Sequence, residues 1–561
     1  MSRSSHEYIP LLTMPVDTND EQLGRTSLSQ GNKSNVDANV EIKYISEEFI
    51  QHDLQKSVDR AYERKCALIN KCLQEEIGFG PYQKQLFMLT GLGWLADNMW
   101  FQAVAVALPQ VQKELHPSRI EFTTLSLYAG LAIGASAWGV MADIIGRKLS
   151  FNITLFLAGV FGVAAGAAPN FVAFASLVGC IGFGVGGNLP VDGALYLEHI
   201  PQSHQWTLTL LSTWWAIGQL IASLVAWALI GNFSCDISAS DGKCLKADNM
   251  GWRYTMYTLG CLTLIMFILR FFLFDLQESS KYLIGKKRDA EAIKVLEHLA
   301  KKNNRTITLT LEKLLAVEDG DNVPPKTILE ILKGSFSTFS LSHIRPLFAG
   351  RKLAINSSIT IFIWGLIGLA SPLFNAFLPL YLAGRVSSND STSVTYRNAT
   401  IVSIMGIPGS FIACLVVDWR RRSTGSRKWS IGGRKLTMAV STLVTGIFLF
   451  LFTTSKSEGA VLGYSCVSSL TQNAMFGVLY AYTPEVFPAP HRGTGDALAS
   501  SFNRCTGLLG PVIKIATTSA VGTGLADSVA NGSVFVSASL YVVASIFMML
   551  LPIETAGKAA L

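Results

Sequence analysis

The sequence predicts an all-α polytopic membrane protein with twelve transmembrane helices in two pseudo-symmetric six-helix bundles. Three observations carry that prediction. The 561 residues are 50% apolar and only 15% charged, with a mean hydropathy of +0.36, whereas soluble chains are about 25% charged. Apolar stretches long enough to cross a bilayer, about 20 residues, come in two series of six with a long polar interval between them. Short motifs also recur between the two series at a single offset of 287 residues. Together these exclude an ordinary soluble enzyme, a disulfide scaffold and a disordered chain. The net charge of +7 does not point to nucleic acid, because positive charge in a membrane protein collects on one side of the bilayer. Nine cysteines without a CxxC or a Cys/His cluster argue against a zinc site, and no metal is expected. All eight histidines fall outside the predicted spans.

Residues 1–85 read as a polar cytoplasmic tail, largely disordered, with no signal-peptide core and a short helix near 53–76. Spans near 86–108, 123–144, 151–168, 172–196, 206–230 and 252–274 form an N-terminal bundle over 86–274. A cytoplasmic loop follows at 275–352. Spans near 353–382, 399–418, 436–454, 459–484, 495–521 and 533–552 form a C-terminal bundle over 353–552, and 553–561 is a short cytoplasmic end. Pro372 and Pro379 predict a kink in the outer part of span seven. With the N-terminus inside, inner segments carry 35 Lys and Arg, outer loops and their edges 8, and spans 3, which obeys the positive-inside rule. The sequons at Asn232, Asn389, Asn398 and Asn531 all fall on the predicted outer side. Cys235 and Cys244 share an outer loop, where they either form a disulfide or stay free.

The halves echo each other at the inner edge. Gly146-Arg147-Lys148 recurs as Gly433-Arg434-Lys435, Glu198 as Glu485, and His204 as His491. Asp143 and Asp418 precede the two triplets, the second after a twelve-residue insertion. Parallel repeats of this kind place a substrate site between the halves at mid-membrane.

The inner-loop sequence GVMADIIGRK (139–148) resembles the signature of the major facilitator superfamily. LQESSKYL (276–283) is a degenerate form of the sugar-porter PESPR element, and the approach to span one, EEIGFGPYQKQLFMLTGLGWLADNMW, and TPEVFPAPHRGTG (483–495) resemble the synaptic-vesicle-protein-like branch. The resemblance runs from about 58 to 552. It implies a carrier whose two bundles rock about a central site. Many sugar porters carry an arginine in helix four before the GxGxGG run; that position is Val178 here.

Ionisable groups inside a membrane are costly and serve as functional candidates. Asp97 lies mid-span one and matches the aspartate of the vesicle-protein branch. Desolvation favours the protonated form of a carboxyl, as a proton-binding site requires; a structural ion pair is the alternative. Asn98 and Gln102 stand near it, as substrate contacts or as interhelical hydrogen bonds. Asp192 lies toward the inner end of span four, one turn below Asn188, as a gating pair or a substrate or proton site. Arg504, which resembles the branch's arginine in that helix, and Lys514 lie in span eleven. They read as interbundle salt bridges or as capture of an anion, or for Lys514 as snorkelling to the interface. The inner-edge set of Asp143, Gly146, Arg147, Lys148, Glu198, Glu278, Asp418, Arg434, Lys435, Glu485 and Arg492 resembles the family's inner gate; a solvated charge cluster is the alternative reading.

The function expected is secondary active transport of a small polar organic solute, proton-coupled, by alternating access. A non-transporting membrane sensor is the rival. No P-loop, nucleophile elbow or metal-ligand motif appears, so no enzyme activity and no cofactor beyond the coupling proton is expected. Partners are the bilayer and the solute, and the carrier is read as a monomer. Glu7, Leu11 and Leu12 fit an acidic dileucine signal for a clathrin adaptor. The address is then the plasma membrane or a vacuolar or endosomal membrane.

Overall fold

The computed structural model describes residues 60–204, 207–235, 244–273, 275–317, 344–383, 392–417, 420–422, 430–455, 457–487, 492–519 and 531–555. The disordered stretch and the dileucine signal expected in the tail lie outside these residues. Within a bilayer every backbone polar group must bond inside the chain, so the spans are helices.

The N-terminal half comprises α1 (Arg60–Lys71), α2 (Pro81–Leu115), α3 (Glu121–Ile145), α4 (Arg147–Gly166), α5 (Phe171–Gly186), α6 (Asn188–His199), α7 (Thr207–Leu229) and α8 (Gly251–Ile268). Then come α9 (Ser280–Gly285), α10 (Asp289–Lys302) and α11 (Leu311–Leu315). The C-terminal half comprises α12 (Arg351–Asn375), α13 (Leu378–Ala383), α14 (Thr392–Val417), α15 (Arg434–Thr454), α16 (Glu458–Val486), α17 (Arg492–Gly507), α18 (Leu509–Ser519) and α19 (Gly532–Leu550). This is the twelve-span, two-bundle architecture. Eight stretches among the described residues are long and apolar enough by themselves to cross a membrane. Helices α2 and α16, which supply polar side chains to the interior, are not among them.

Three spans are broken rather than continuous. Span four breaks at Gly187 between α5 and α6, span seven at Ala376–Phe377 between α12 and α13, and span eleven at Leu508 between α17 and α18. Each second piece carries proline in its first turn: Pro190, Pro379 and Pro511. Proline lacks an N–H and has a fixed φ, so it suits the first turn of a helix, where that N–H needs no intrahelical acceptor. The kink expected from Pro372 and Pro379 is therefore a break located between them.

One exception to the all-α expectation is a short antiparallel pair, β1 (Arg420–Arg422) with β2 (Ser430–Gly432), Arg421 facing Ile431. It closes the insertion that sets the second half apart from the first.

The polar interval after span six is folded onto the bundle. Lys65 of α1 pairs with Asp289 of α10 at 2.8 Å, and the Tyr82 backbone N–H donates to Asn303 at 3.0 Å. Ile69, Leu73 and Ile77 share a core with Leu296, Leu299 and Leu314, and with Leu86 of span one. Burial and the neighbouring Glu76 carboxylate push the Cys72 thiol up to about 12, so it packs there as a neutral side chain. We call this side of the bundle the basic end, and the side carrying Cys235 and Cys244 the disulfide end. Those two cysteines are bridged. There the buried Arg253 donates to Glu114 at 2.7 Å and to the carbonyls of Gly166 and Ala168, tying α8 to α2 and α4.

Helices α3 and α5 lie in backbone contact. A Cβ at Gly182 would overlap the carbonyl oxygen of Leu127, and one at Gly130 that of Gly179. Small residues allow such approach, and dispersion then holds the helices where the bilayer offers no hydrophobic drive. Gly182→Val is expected to destabilise by ~1–3 kcal/mol, seen as a lower melting temperature in detergent. Gly193→Ala, whose added Cβ meets nothing within 4 Å, serves as the unaffected control.

Candidate functional site

Between the halves lies a cavity of about 140 Å³. Helix α2 contributes Asn98 and Gln102, α7 Trp215, α16 Gln472 and Tyr480, and α17 Asn503 and Arg504. Much of this polarity is spent on helix contacts. Asn98 donates to the Trp215 carbonyl at 2.9 Å, Gln102 to Ser223 at 3.0 Å and Asn503 to the Trp364 carbonyl at 2.9 Å.

Four charged side chains gather in the interior. Asp97, 1% exposed, accepts a 2.8 Å hydrogen bond from Asn188. One turn further along α6, Asp192 pairs with Arg270 at 2.8 Å, both side chains 0% exposed. Arg270 also donates to the Phe151 carbonyl at 2.8 Å. Glycine at 93 makes room for this pair, since a Cβ there would overlap the Asp192 carboxylate. Arg504, 6% exposed, makes no side-chain hydrogen bond or ion pair among the described residues, and its Nε is buried without a partner. It lies in the electrostatic reach of Asp97, Tyr480 and Tyr128. Asp97, Asn188, Asp192 and Arg504 thus come together as one neighbourhood. Arg270 is the member that sequence reasoning counted but did not single out. The available signal was that an aspartate inside a span needs a named counter-ion, and span six held an arginine.

The basic end is a second cluster, built twice. Arg147 pairs with Glu198, and Arg434 with Glu485. The backbone N–H groups of Arg147 and Lys148 donate to Glu278 at 3.1 and 3.3 Å. Those of Arg434 and Lys435 donate to Glu554 at 3.1 and 3.2 Å. A carboxylate at a helix N-terminus satisfies free N–H groups and complements the helix dipole. Gly146 and Gly433 take φ of +99° and +91°, a left-handed turn that favours glycine. These two ion pairs each lie within one half, joining α4 to α6 and α15 to α16. Asp418 lies outside the described residues, as do the side chains of Asp143 and Arg492. Glu554 was missed, although Glu278-Ser279 and Glu554-Thr555 stand after the last span of each half.

A family model of the Major Facilitator Superfamily matches residues 86–432, well over half of the chain. The chain belongs to the Major Facilitator Superfamily. It is 44% identical over 512 residues to the MFS siderochrome iron transporter 1 of Ceriporiopsis subvermispora, covering 90% of this chain and 93% of that one. It is 24% identical over 508 residues to the synaptic vesicle 2-related protein of Xenopus laevis, covering 86% and 80%. The solved proton:xylose symporter XylE shares the fold with a TM-score of 0.61 at 17% identity, over 85% of this chain and 98% of that one. The protein is a multi-pass membrane transporter of this superfamily and not an enzyme.

Other residues singled out from the sequence lie apart from the facilitator cavity. Lys514 of α18 stacks over the Tyr381 ring at 4.5 Å, within electrostatic reach of Glu121, and does not line the cavity. The helix break at Leu508 separates it from Arg504. Asn398 is buried within α14, so that sequon has no room for a glycan. Asn232 is exposed beside the disulfide and Asn531 half-buried at the start of α19; Asn389 lies outside the described residues. His199, placed beyond span four from the sequence, is buried at the last residue of α6.

Removing one partner of a buried ion pair strands the other charge. Asp192→Asn is expected to cost ~3–5 kcal/mol of stability, seen as a lower melting temperature in detergent. The double variant Asp192→Leu/Arg270→Met is expected to recover most of that loss.

Proposed function

We propose that this transporter is a proton-coupled secondary carrier of a small polar organic solute that works by alternating access. The observation that carries the reading is Asp97: a carboxyl buried at mid-span one, beside the interhelical cavity, held by a neutral amide, with Arg504 close enough to respond to its charge. A carboxyl so placed binds a proton in one state of the carrier and releases it in another, when a cation or water reaches it. The intact pairs within each half support rigid-body rocking, because they stiffen each bundle internally. The halves themselves meet toward the disulfide end through neutral hydrogen bonds. Ser223 meets Ser403 at 2.8 Å, Thr400 donates to the Ser223 carbonyl at 3.1 Å, and Tyr396 to that of Val106 at 3.0 Å. Neutral contacts break at lower cost than buried charges.

Asp97→Asn is expected to insert and fold normally, yet to abolish solute accumulation driven by a pH gradient. The assay is proteoliposomes with entrapped pyranine, scanning solutes for evoked proton movement. Undiminished gradient-driven accumulation in Asp97→Asn would remove the coupling role.

The address is proposed to be a vacuolar or endosomal membrane, set by Glu7, Leu11 and Leu12 through a clathrin adaptor. A tagged chain and its Leu11→Ala/Leu12→Ala variant should then distribute differently, the variant collecting at the plasma membrane. Identical distributions would discard the signal.

A further inference from the structure

We infer that the cavity selects a small organic monocarboxylate carried on a planar aromatic ring, its carboxylate on Arg504. This rests on the carrier reading above and adds the class of solute.

Charge comes first. Arg504 is the single charged side chain among the residues lining the cavity, and no acid lines it. Its guanidinium makes no hydrogen bond or ion pair among the described residues. A buried guanidinium left without a partner is costly, and a planar carboxylate satisfies its fork of donors. An organic cation would be repelled from the same place.

Two further free groups can only donate. The indole N–H of Trp215 and the amide nitrogen of Gln472 are buried and have no partner. The Gln472 amide is fixed in that sense, because its oxygen already accepts from Asn375 at 2.7 Å and Tyr541 at 3.3 Å. The Thr124 and Ser469 hydroxyls, which donate or accept, are unpaired as well. A carboxylate, which only accepts, matches this set.

The remaining wall is aromatic. Trp215 stands 5.6 Å from Phe476 and 5.1 Å from Tyr480, centroid to centroid, and Phe101 stands 5.7 Å from Tyr128. All five rings line the cavity. Rings pack on rings at these spacings with more than area burial alone provides, and a flat body suits a space of about 140 Å³.

The arrangement links solute to proton. Asp97 is faced by Asp192 of α6, Arg270 beyond α8, Tyr480 of α16 and Arg504 of α17. With Asp97 ionised, part of the Arg504 field is spent on it. With Asp97 protonated, that field is free for the incoming anion. Proton and carboxylate therefore load together, and each strengthens the other's binding by the same factor.

The test is calorimetric binding to the purified full-length protein in detergent, with benzoate, benzamide, cyclohexanecarboxylate and xylose as probes. Benzoate should bind at least about tenfold tighter than benzamide, which has the ring without the charge. It should bind several-fold tighter than cyclohexanecarboxylate, which has the charge without the flat ring. Benzoate should tighten as pH falls from 8 toward 6 in the native protein and not in Asp97→Asn. Arg504→Lys should weaken benzoate about tenfold and leave benzamide unchanged; if that variant does not fold, the probe series on the native chain decides alone. Absence of benzoate binding, or equal affinity for benzamide, overturns the carboxylate. Equal affinity for cyclohexanecarboxylate overturns the ring. Binding needs no gradient, so the two readings fail separately. Benzoate bound without evoking proton movement in proteoliposomes removes coupled transport and spares the solute class. Proton movement evoked by another solute, with no benzoate binding, does the reverse.

Discussion

The ion pair between Asp192 and Arg270 organises the N-terminal half. Both side chains are fully buried, in a medium where an unpaired charge is expelled or neutralised. Arg270 reaches from beyond α8 to Asp192 of α6 and to the Phe151 carbonyl of α4, and the pair presses against Gly93 of α2. Four of six spans thereby meet at one contact. The site follows from this arrangement: Asn188, one turn from Asp192, is held where it bonds Asp97, and Asp97 in turn faces the cavity's arginine across the divide between halves.

The two bundles repeat each other where they need stiffness and differ where they need chemistry. At the basic end the Arg–Glu pair, the positive-φ glycine and the capping glutamate occur in both halves with nearly the same hydrogen-bond lengths. The interior charges among the described residues do not repeat. Asp97, Asp192 and Arg270 belong to the first half and Arg504 to the second. A symmetric frame suits two bodies that rock against one another. An asymmetric interior gives each body a different charge to present to the solute.

Much of this was legible from sequence. Hydropathy, the 287-residue offset and the sign of the loop charges were enough for twelve spans in two bundles, because the bilayer forces long apolar helices and the repeat forces the division. Asp97, Asp192 and Arg504 stood out because a charge inside a span is expensive. What stayed hidden depends on three-dimensional pairing. Arg270 was counted without its partner. Arg504 and Lys514 stood in one continuous span by sequence, and the break at Leu508 sends Lys514 to Tyr381 instead. The breaks at Gly187 and Leu508 were hidden in runs apolar enough to read as continuous. The inner-edge charges were recognised, but the pairing of Arg147 with Glu198 and of Arg434 with Glu485 is a matter of geometry that spacing does not encode. Asn398 satisfied a sequon and is buried all the same.

The packing of α1 against α10 at the basic end also constrains the order of biosynthesis. Lys65 leaves the ribosome 224 residues before its partner Asp289. At ~5–20 residues per second that gap is roughly 11 to 45 seconds. Throughout it, the apolar face formed by Ile69, Leu73 and Ile77 has no α10 to pack against, while six spans are threaded into the bilayer. The packing of α1 on α10 is thus completed only after the six spans have been made. A nascent chain arrested before residue 289 would present a sticky helix to the chaperones and proteases waiting at the membrane.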